Sequence, residues 1–265
     1  MSFLSTDLLS GKIALITGGG SGINLGIARA MVAHGGSVSL VSRTQEKLDA
    51  AAAQLDPTGS RAAGFAADVR DPEALQRAIE QTVERFGTID ILVNGAAGNF
   101  LSPAAQLSPN GFKTVMDIDA GGTFNASRLC FEHLVDSGGV VLNISATQAW
   151  IPTPLQVHAG AAKAAIDKMT QDLALEWGPF GIRVLGIAPG PIDDTEGMKR
   201  LSTPEFREKL ETMMPLRRWG TADEIGLVAV FLCSDAASFI TGTTVVVDGG
   251  QSLIGAAGFL EMMRG

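Results

Sequence analysis

Between a short apolar run and the first stretch of helical period stands Thr17-Gly18-Gly19-Gly20-Ser21-Gly22-Ile23. Glycines at such a junction let the backbone approach a pyrophosphate closely, while the N-terminus of the following helix offers free N–H groups and the positive end of its dipole. The chemistry this fits is dinucleotide binding; a turn that is merely tight is the other reading of the glycines alone. The next apolar run ends in Ser42-Arg43-Thr44. A cofactor with a free ribose 2′-hydroxyl favours a carboxylate there, whereas a neutral Ser followed by Arg suits a 2′-phosphate, which accepts the forked, charged donors of a guanidinium. The pair points to NADP(H), against the alternative of a solvated Arg at a helix start.

Both loops need strands that end at one edge and helices that begin there. Short β-branched runs alternate along the chain with stretches of helical period, the pattern of right-handed βαβ units around a parallel sheet. The expected strands are Ile13–Thr17, Ser37–Ser42, Ala62–Ala67, Ile89–Asn94, Val140–Ser145, Arg183–Ala188 and Thr244–Asp248. Several are almost wholly apolar, as strands covered on both faces are. Ile23, Ile27, Ala30 and Met31 form one helical stripe, and Leu75, Ile79, Val83 and Phe86 form another. Asp71-Pro72-Glu73 opens the second with an N-cap, a Pro at the first helical position and an acidic first turn. No internal repeat or linker rich in Pro, Gly and Ser divides the sequence, so a single domain, 1–265, is expected. Pro189 to Thr203 lacks firm helix or strand character and follows a strand's carboxyl end, where open α/β sheets bind ligands. A substrate lid is expected there, reaching to about residue 215.

With 265 residues, 46% of them hydrophobic and 18% charged, the chain can bury a sizeable core, which excludes a disordered or disulfide-stapled protein. Lys and Arg number 20 against 28 Asp and Glu, a net charge of −8 that argues against nucleic acid or an anionic membrane as partner. A small basic pocket for phosphates is compatible with that balance. Cys130 and Cys233 stand far apart with no metal-ligand spacing, so reduced thiols in apolar helices and no metal are expected. No run of 18 or more uncharged apolar residues occurs, and Met1 to Ser10 is not a basic stretch leading into an apolar one. The final residues, Glu261 to Gly265, are not a Ser-Lys-Leu address, and a cytoplasmic setting is expected. The oddest entry in the composition is the complete lack of tyrosine.

In order along essentially the whole chain, Thr17-Gly18-x-x-x-Gly22, Asp68-Val69, Asn94-Gly95-Ala96-Ala97-Gly98, Lys163 in a long helix, Pro189-Gly190-Pro191-Ile192 with Thr195, and Asp248-Gly249-Gly250 resemble the landmarks of the short-chain dehydrogenase/reductase family. The resemblance implies an α/β, single-domain, doubly wound Rossmann fold with a mostly parallel seven-stranded sheet. It implies cofactor contacts from Gly18, Gly20, Ser21, Gly22 and Ile23, from Ser42 and Arg43, from Asp68 and Val69 near the adenine, and from Asn94, Ala96 and Lys163. Pro189, Gly190, Ile192 and Thr195 would lie near the nicotinamide, with Ile192 binding the carboxamide through its backbone. A homotetramer built through the helices around residues 110 to 135 and 155 to 177 is implied as well.

Three departures from the family pattern narrow the function. The catalytic tyrosine stands four residues before the lysine, where this chain has Ala159, and the catalytic serine's place is Ala146, flanked by Ser145 and Thr147. Asn24 replaces the third glycine of the phosphate turn; Asn is among the few residues that tolerate left-handed backbone, so the turn can survive the replacement, with an effect on the cofactor's pose. Without tyrosine and serine, the groups that protonate an alkoxide during carbonyl reduction are missing. One subgroup lacks them, the 2,4-dienoyl-CoA reductases. Its peroxisomal branch is resembled by Ala96-Ala97-Gly98-Asn99-Phe100, by Phe112 to Asp119, by Leu155-Gln156-Val157-His158-Ala159-Gly160, and by Ala188 to Ile192 with Thr195-Glu196-Gly197.

That resemblance implies NADPH-dependent reduction of a 2,4-dienoyl-CoA to a 3-enoyl-CoA in β-oxidation of unsaturated fatty acids. Asp119, at the position of the family's catalytic Asn, would order the water that protonates a dienolate at carbon. Lys163 would grip the nicotinamide ribose and favour the enolate by its charge. Acyl-CoA contacts are implied for Arg43, Arg70 and Arg200, for Phe100, and for Ser108, Pro109 and Asn110. Taken alone, Asp119 is also compatible with a helix carboxylate facing water, and each arginine with a surface charge. His158 adjoins the missing tyrosine, yet successive helix residues point about 100° apart, so it reads as a structural histidine. Gln148 stands near the acid of the mitochondrial relatives and cannot donate a proton to carbon. Two other functions stay open: a related reductase acting on another enoyl or a 3-oxoacyl thioester, and a catalytically lost sensor of NADPH.

Overall fold

The computed structural model describes residues 5–193 and 203–256. The seven apolar runs become β1 (Ile13–Thr17), β2 (Ser37–Ser42), β3 (Ala62–Ala66), β4 (Ile91–Asn94), β5 (Val140–Ile144), β6 (Arg183–Pro189) and β7 (Thr244–Val247). Every neighbouring pair is parallel, in the order β3-β2-β1-β4-β5-β6-β7. The order reverses between β1 and β4, and this opens a crevice at the strands' carboxyl ends.

Where the strand ends differ from expectation, the causes are local. The Asp90 carboxylate accepts the Ile13 N–H at 2.8 Å, so a side chain stands in for a ladder carbonyl and β4 begins after it. Pro189 still lies opposite Val247, which makes β6 one residue longer than expected. Asp248 leaves β7 because its carboxylate accepts the N–H groups of Gly250 and Ser252, at 2.8 and 2.7 Å, and turns the chain.

Among the described residues, eight α-helices fill the connections: α1 (Gly22–Ala33), α2 (Gln45–Leu55), α3 (Pro72–Phe86), α4 (Pro109–Met116), α5 (Gly122–Ser137), α6 (Val157–Trp177), α7 (Pro204–Met213) and α8 (Ala222–Cys233). As expected, Asp71 caps α3, accepting the N–H groups of Glu73 and Ala74 with Pro72 at the start. The period of two along β1 divides the core. Ala14 and Ile16 face Ile27 and Met31 of α1 with Ile225 and Val230 of α8, whereas Leu15 faces Leu75 of α3 with Cys130 and Leu134 of α5. The expected lid is in part a helix, α7, while 194–202, including Thr195 and Arg200, lies outside the described residues.

α1 and α8 approach closely at glycine. A Cβ on Gly26 would fall 2.5 Å from the Ala222 Cβ, and one on Gly226 would fall 2.7 Å from the Ala30 Cβ. Gly26→Ala is expected to destabilise the fold by about 1–3 kcal/mol through overpacking, read as a lower urea midpoint at unchanged slope. An unchanged midpoint would mean that the helices separate without cost.

Candidate active site

Where the strand order reverses, a cleft of about 470 Å³ runs between the glycine turn and the ends of β2 and β4. Of the expected cofactor residues, Gly18, Gly20, Ser21, Ser42, Arg43, Asp68, Val69 and Ala96 all line it. The turn needs its glycines. Gly18 and Gly22 have φ of +69° and +57°, and a Cβ on Gly18 would lie 2.9 Å from the Gly95 carbonyl oxygen. Ser21 caps α1 with its backbone alone, so its side chain takes none of the first N–H groups of the helix. These features fit a dinucleotide, with the pyrophosphate at that helix end.

The turn accommodates Asn24 without strain. Asn24 is an ordinary helical residue of α1, without left-handed backbone, and its buried amide reaches across the turn. Nδ2 donates to the carbonyls of Gly95 at 2.8 Å and Gly18 at 3.3 Å. The side chain thus latches the phosphate turn to the end of β4.

Arg43 is exposed at the cleft's rim. Arg70 is engaged with Asp68 through Nε and Nη2, the shortest contact being 2.6 Å, and this guanidinium holds the Asp68 carboxyl below its usual range. The Asn94 side chain points away from the cleft: its Nδ2 donates to Ser127 Oγ at 3.0 Å and Asn143 Oδ1 at 2.9 Å, and Asn143 in turn donates to Thr170 Oγ1 at 2.8 Å. It binds β4 to β5, α5 and α6.

Beside the cleft, α4 and α5 are joined by a π-helical turn, Asp117–Gly121, of the kind that accompanies functional sites. Asp119 on that turn is 1% exposed. Its Oδ1 accepts the Gly98 N–H at 2.7 Å, and its Oδ2 lies 3.4 Å from Lys163 Nζ, which donates to the Ile144 carbonyl at 2.9 Å. Burial raises the Asp119 pKa above the ordinary carboxylate range, and the Lys163 ammonium and the Gly98 N–H offset only part of that. The arrangement is a carboxyl held towards its protonated form next to a fixed cation. Ser145 Oγ is buried without a hydrogen-bond partner among the described residues, while Thr147 Oγ1 donates to Gln251 at 3.2 Å.

Phe100 and His158 stack with ring centroids 4.4 Å apart. Ser108 Oγ accepts the Gly111 N–H at 3.0 Å as the N-cap of α4, followed by Pro109 and Asn110, and a Cβ on Gly111 would touch the Phe100 ring at 3.2 Å. The expected acyl-CoA residues of this region therefore gather at one helix start. Asn99 Nδ2 donates to Gln156 Oε1 at 2.7 Å across the site mouth, with Gln148 Nε2 3.5 Å from the same atom. Ile192 is buried and bridges to Gly220, and the Gly190 N–H donates to the Val247 carbonyl at 3.0 Å. The Asn24 latch, the Asp68–Arg70 pair and the polar isolation of His158 were not expected from the sequence; the latch joins segments 71 residues apart, whereas Asp68 and Arg70 stand two residues apart on one turn.

Comparison with known proteins agrees with this geometry. The family described as Enoyl-(Acyl carrier protein) reductase matches residues 18–252. A Danio rerio protein named peroxisomal 2,4-dienoyl-CoA reductase, (3E)-enoyl-CoA-producing, is 49% identical over 256 residues, spanning 95% of this chain and 85% of its own. A short chain dehydrogenase from Bacillus anthracis is 41% identical with a TM-score of 0.83, covering 91% of this chain and 96% of that one. A gluconate 5-dehydrogenase from Burkholderia cenocepacia J2315, solved in complex with NADP and tartrate, is 31% identical with a TM-score of 0.87, covering 94% and 98%.

The raised Asp119 pKa has a consequence for stability. Its folded form binds a proton more tightly than the unfolded chain does, so the stability present at low pH is lost as the pH rises through the raised value. Asp119→Asn carries no such loss. Thermal unfolding of both proteins should show the variant gaining on the wild type as the pH climbs from the ordinary carboxylate range to neutrality, and a pH-independent difference would contradict the raised pKa.

Proposed function

The chain belongs to the short-chain dehydrogenase/reductase family, and on that premise we propose that it is an NADPH-dependent 2,4-dienoyl-CoA reductase yielding a 3-enoyl-CoA in β-oxidation of unsaturated fatty acids. The observation that carries this reading is the buried Asp119–Lys163 pair in a chain without tyrosine. A dienoyl thioester is a conjugated acceptor. Charge developed on reduction spreads into a dienolate, which takes its proton at carbon, so an acid aimed at a localised alkoxide is not required. A carboxyl whose pKa burial raises is a better proton source than an exposed one and can supply that proton through a water, with the Gly98 N–H fixing its orientation. Lys163, held by the Ile144 carbonyl, brings positive charge to the enolate and donors to the nicotinamide ribose. The bound nicotinamide supplies the hydride.

Cofactor contacts come from Gly18, Gly20, Ser21, Gly22, Ile23, Ser42, Asp68, Val69, Ala96, Pro189, Gly190 and Ile192, and from Asn94 through its backbone; Arg43 meets the 2′-phosphate. The acyl-CoA lies against Phe100, Ser108, Pro109 and Asn110, with Arg43 and Arg70 available to its phosphates once Arg70 exchanges Asp68 for the ligand. Thr195 and Arg200 complete the two sets by family pattern. The assembly is a homotetramer through α5 and α6, which leave Phe124 50% and Leu175 83% exposed. A cytoplasmic setting belongs to the same reading; both cysteines are buried, and burial pushes their thiols up to about 12. No helix among the described residues is long and apolar enough to cross a membrane.

Absorbance of NADPH followed after addition of a 2,4-dienoyl-CoA, with a 3-oxoacyl-CoA and NADH as parallel arms, tests the assignment. Rapid oxidation of NADPH with the dienoyl substrate alone is expected, and turnover of the 3-oxoacyl substrate only would overturn it. Arg43→Ala should raise KM for NADPH by about 10-fold or more and KM for NADH far less. Equal effects on the two cofactors would remove Arg43 from the 2′-phosphate.

A further inference from the structure

Asn24, in the first turn of α1, stands at the wall of the cofactor cleft and is 9% exposed. Its amide has one orientation, because Nδ2 faces two carbonyl oxygens, of Gly95 at 2.8 Å and of Gly18 at 3.3 Å, and only the nitrogen can donate to them. Oδ1 is buried with no hydrogen-bond partner among the described residues. A buried acceptor left unpaired is destabilising, and a glycine at residue 24 would carry no such cost. Space filling does not account for the side chain either, since an apolar group would fill the same volume without the unpaired oxygen. What Asn24 adds is the pair of bonds made by its nitrogen.

Those bonds complete a grip on one residue. The Gly95 N–H donates to Thr17 Oγ1 at 3.1 Å, so Gly95 is held at its N–H by the end of β1 and at its carbonyl by the first turn of α1. Its φ is not positive, so backbone conformation does not demand a glycine there. Contact does. A Cβ on Gly95 would have three atoms of the Asn24 amide as its nearest neighbours, at 2.1, 2.4 and 2.4 Å. Asn24 and Gly95 are therefore a matched pair: the amide fits because residue 95 has no side chain, and residue 95 is closed to side chains because of the amide. The same amide borders Gly18, whose own Cβ would fall 2.9 Å from Nδ2.

We infer that Asn24 is a positioning residue for the nicotinamide cofactor: its amide presets the separation of the glycine turn from the Gly95–Gly98 segment, so that binding does not have to order them. This rests on the dinucleotide-binding reading given above. The acceptors of the latch belong to the turn that faces the pyrophosphate, which NADPH and NADH share, and not to the Ser42-Arg43 end that tells them apart. Loss of the latch therefore weakens both cofactors by the same factor, whereas loss of Arg43 falls mainly on NADPH.

Asn24→Ala removes both bonds and keeps the helix, since Ala is the better helix former. Titrations followed by tryptophan fluorescence should give Kd values for NADPH and for NADH each raised by about 10-fold, and turnover should show the change in KM for NADPH far more than in kcat. In the ligand-free protein, hydrogen exchange over residues 17–25 and 94–98 should be faster in Asn24→Ala than in the wild type, and NADPH should return it to the wild-type rate. Kd values within about 2-fold of wild type in a folded Asn24→Ala protein, or a rise confined to NADPH, overturn the role, and a lower urea midpoint with unchanged Kd reduces the residue to packing. Gly95→Ala should weaken NADPH at least as much as Asn24→Ala does, because its methyl displaces the amide, and in an Asn24→Gly background the same substitution should have little further effect. An equal cost in both backgrounds overturns the matched pair. A wild type that binds neither NADPH nor NADH sinks the dinucleotide reading itself, whereas equal affinities in wild type and Asn24→Ala remove Asn24 alone.

Discussion

The Asp119 carboxyl, 2.7 Å from the Gly98 N–H and 3.4 Å from the Lys163 ammonium, occupies a place from which solvent is almost wholly excluded, and much of the surrounding architecture answers that cost. A buried charge left without its partner is strongly destabilising, so the elements that carry the two groups cannot move independently. Asp119 arrives on a π-helical turn between α4 and α5, and Lys163 arrives on α6 with its ammonium also bonded to the carbonyl of Ile144 at the end of β5. Next to the turn, a Cβ on Gly122 would lie 2.5 Å from Val69 Cγ2, so the helix start is pressed against the loop after β3. One ion pair in this way fixes the sheet's carboxyl edge against three helices.

The segment Gly95–Gly98 joins that chemistry to the cofactor cleft. Its first residue accepts the Asn24 amide through its carbonyl, and its last donates to Asp119. A Cβ on Gly95 would lie 2.1 Å from Asn24 Oδ1, so the Asn24 side chain occupies the contact that a third glycine would leave open. The backbone carbonyls of Gly18 and Gly95 are thereby cross-linked by a single side chain before any ligand arrives. Preorganisation of this kind lowers the ordering cost of binding.

Much of this was legible in the sequence where the signal is local. Ile13–Thr17 and Ser37–Ser42 are bounded by turn residues, largely apolar and buried at their centres, and both strands begin and end where the pattern says. The Asp71 cap and the glycine turn are equally local, since side-chain reach and φ decide them. What stayed hidden was set by tertiary contact. Nothing in Asp117–Gly121 announces an extra residue per turn, and the Asn94 amide had two directions open to it until Ser127 and Asn143 claimed it. Asn24 needs none of the left-handed tolerance for which Asn was admitted in place of glycine; the helix absorbs it, and its distinction lies in the side chain. For Asp119 and Lys163 the family pattern supplied the roles, and only the geometry shows the carboxyl's burial.

Chemistry at carbon and chemistry at oxygen call for different acids. An alkoxide is a strong base concentrated on one atom, and a donor of high pKa at hydrogen-bond distance serves it well. A delocalised dienolate is a weaker, more diffuse base that must be protonated at one carbon among several, so where the proton waits matters more than how strongly it is held. A carboxyl whose pKa is raised by burial stays partly protonated nearer neutrality than an exposed one, and its rigid surroundings limit the directions from which a proton arrives. The net charge of −8 makes the same demand on the polyanionic ligands. Attraction cannot come from the whole surface, and the cleft wall carries its own cations in Arg43, Lys47 and Arg70. Asp68 neutralises Arg70 there at 2.6 Å, so the local positive charge left uncompensated on that wall is that of Arg43 and Lys47, less than the count of basic residues implies.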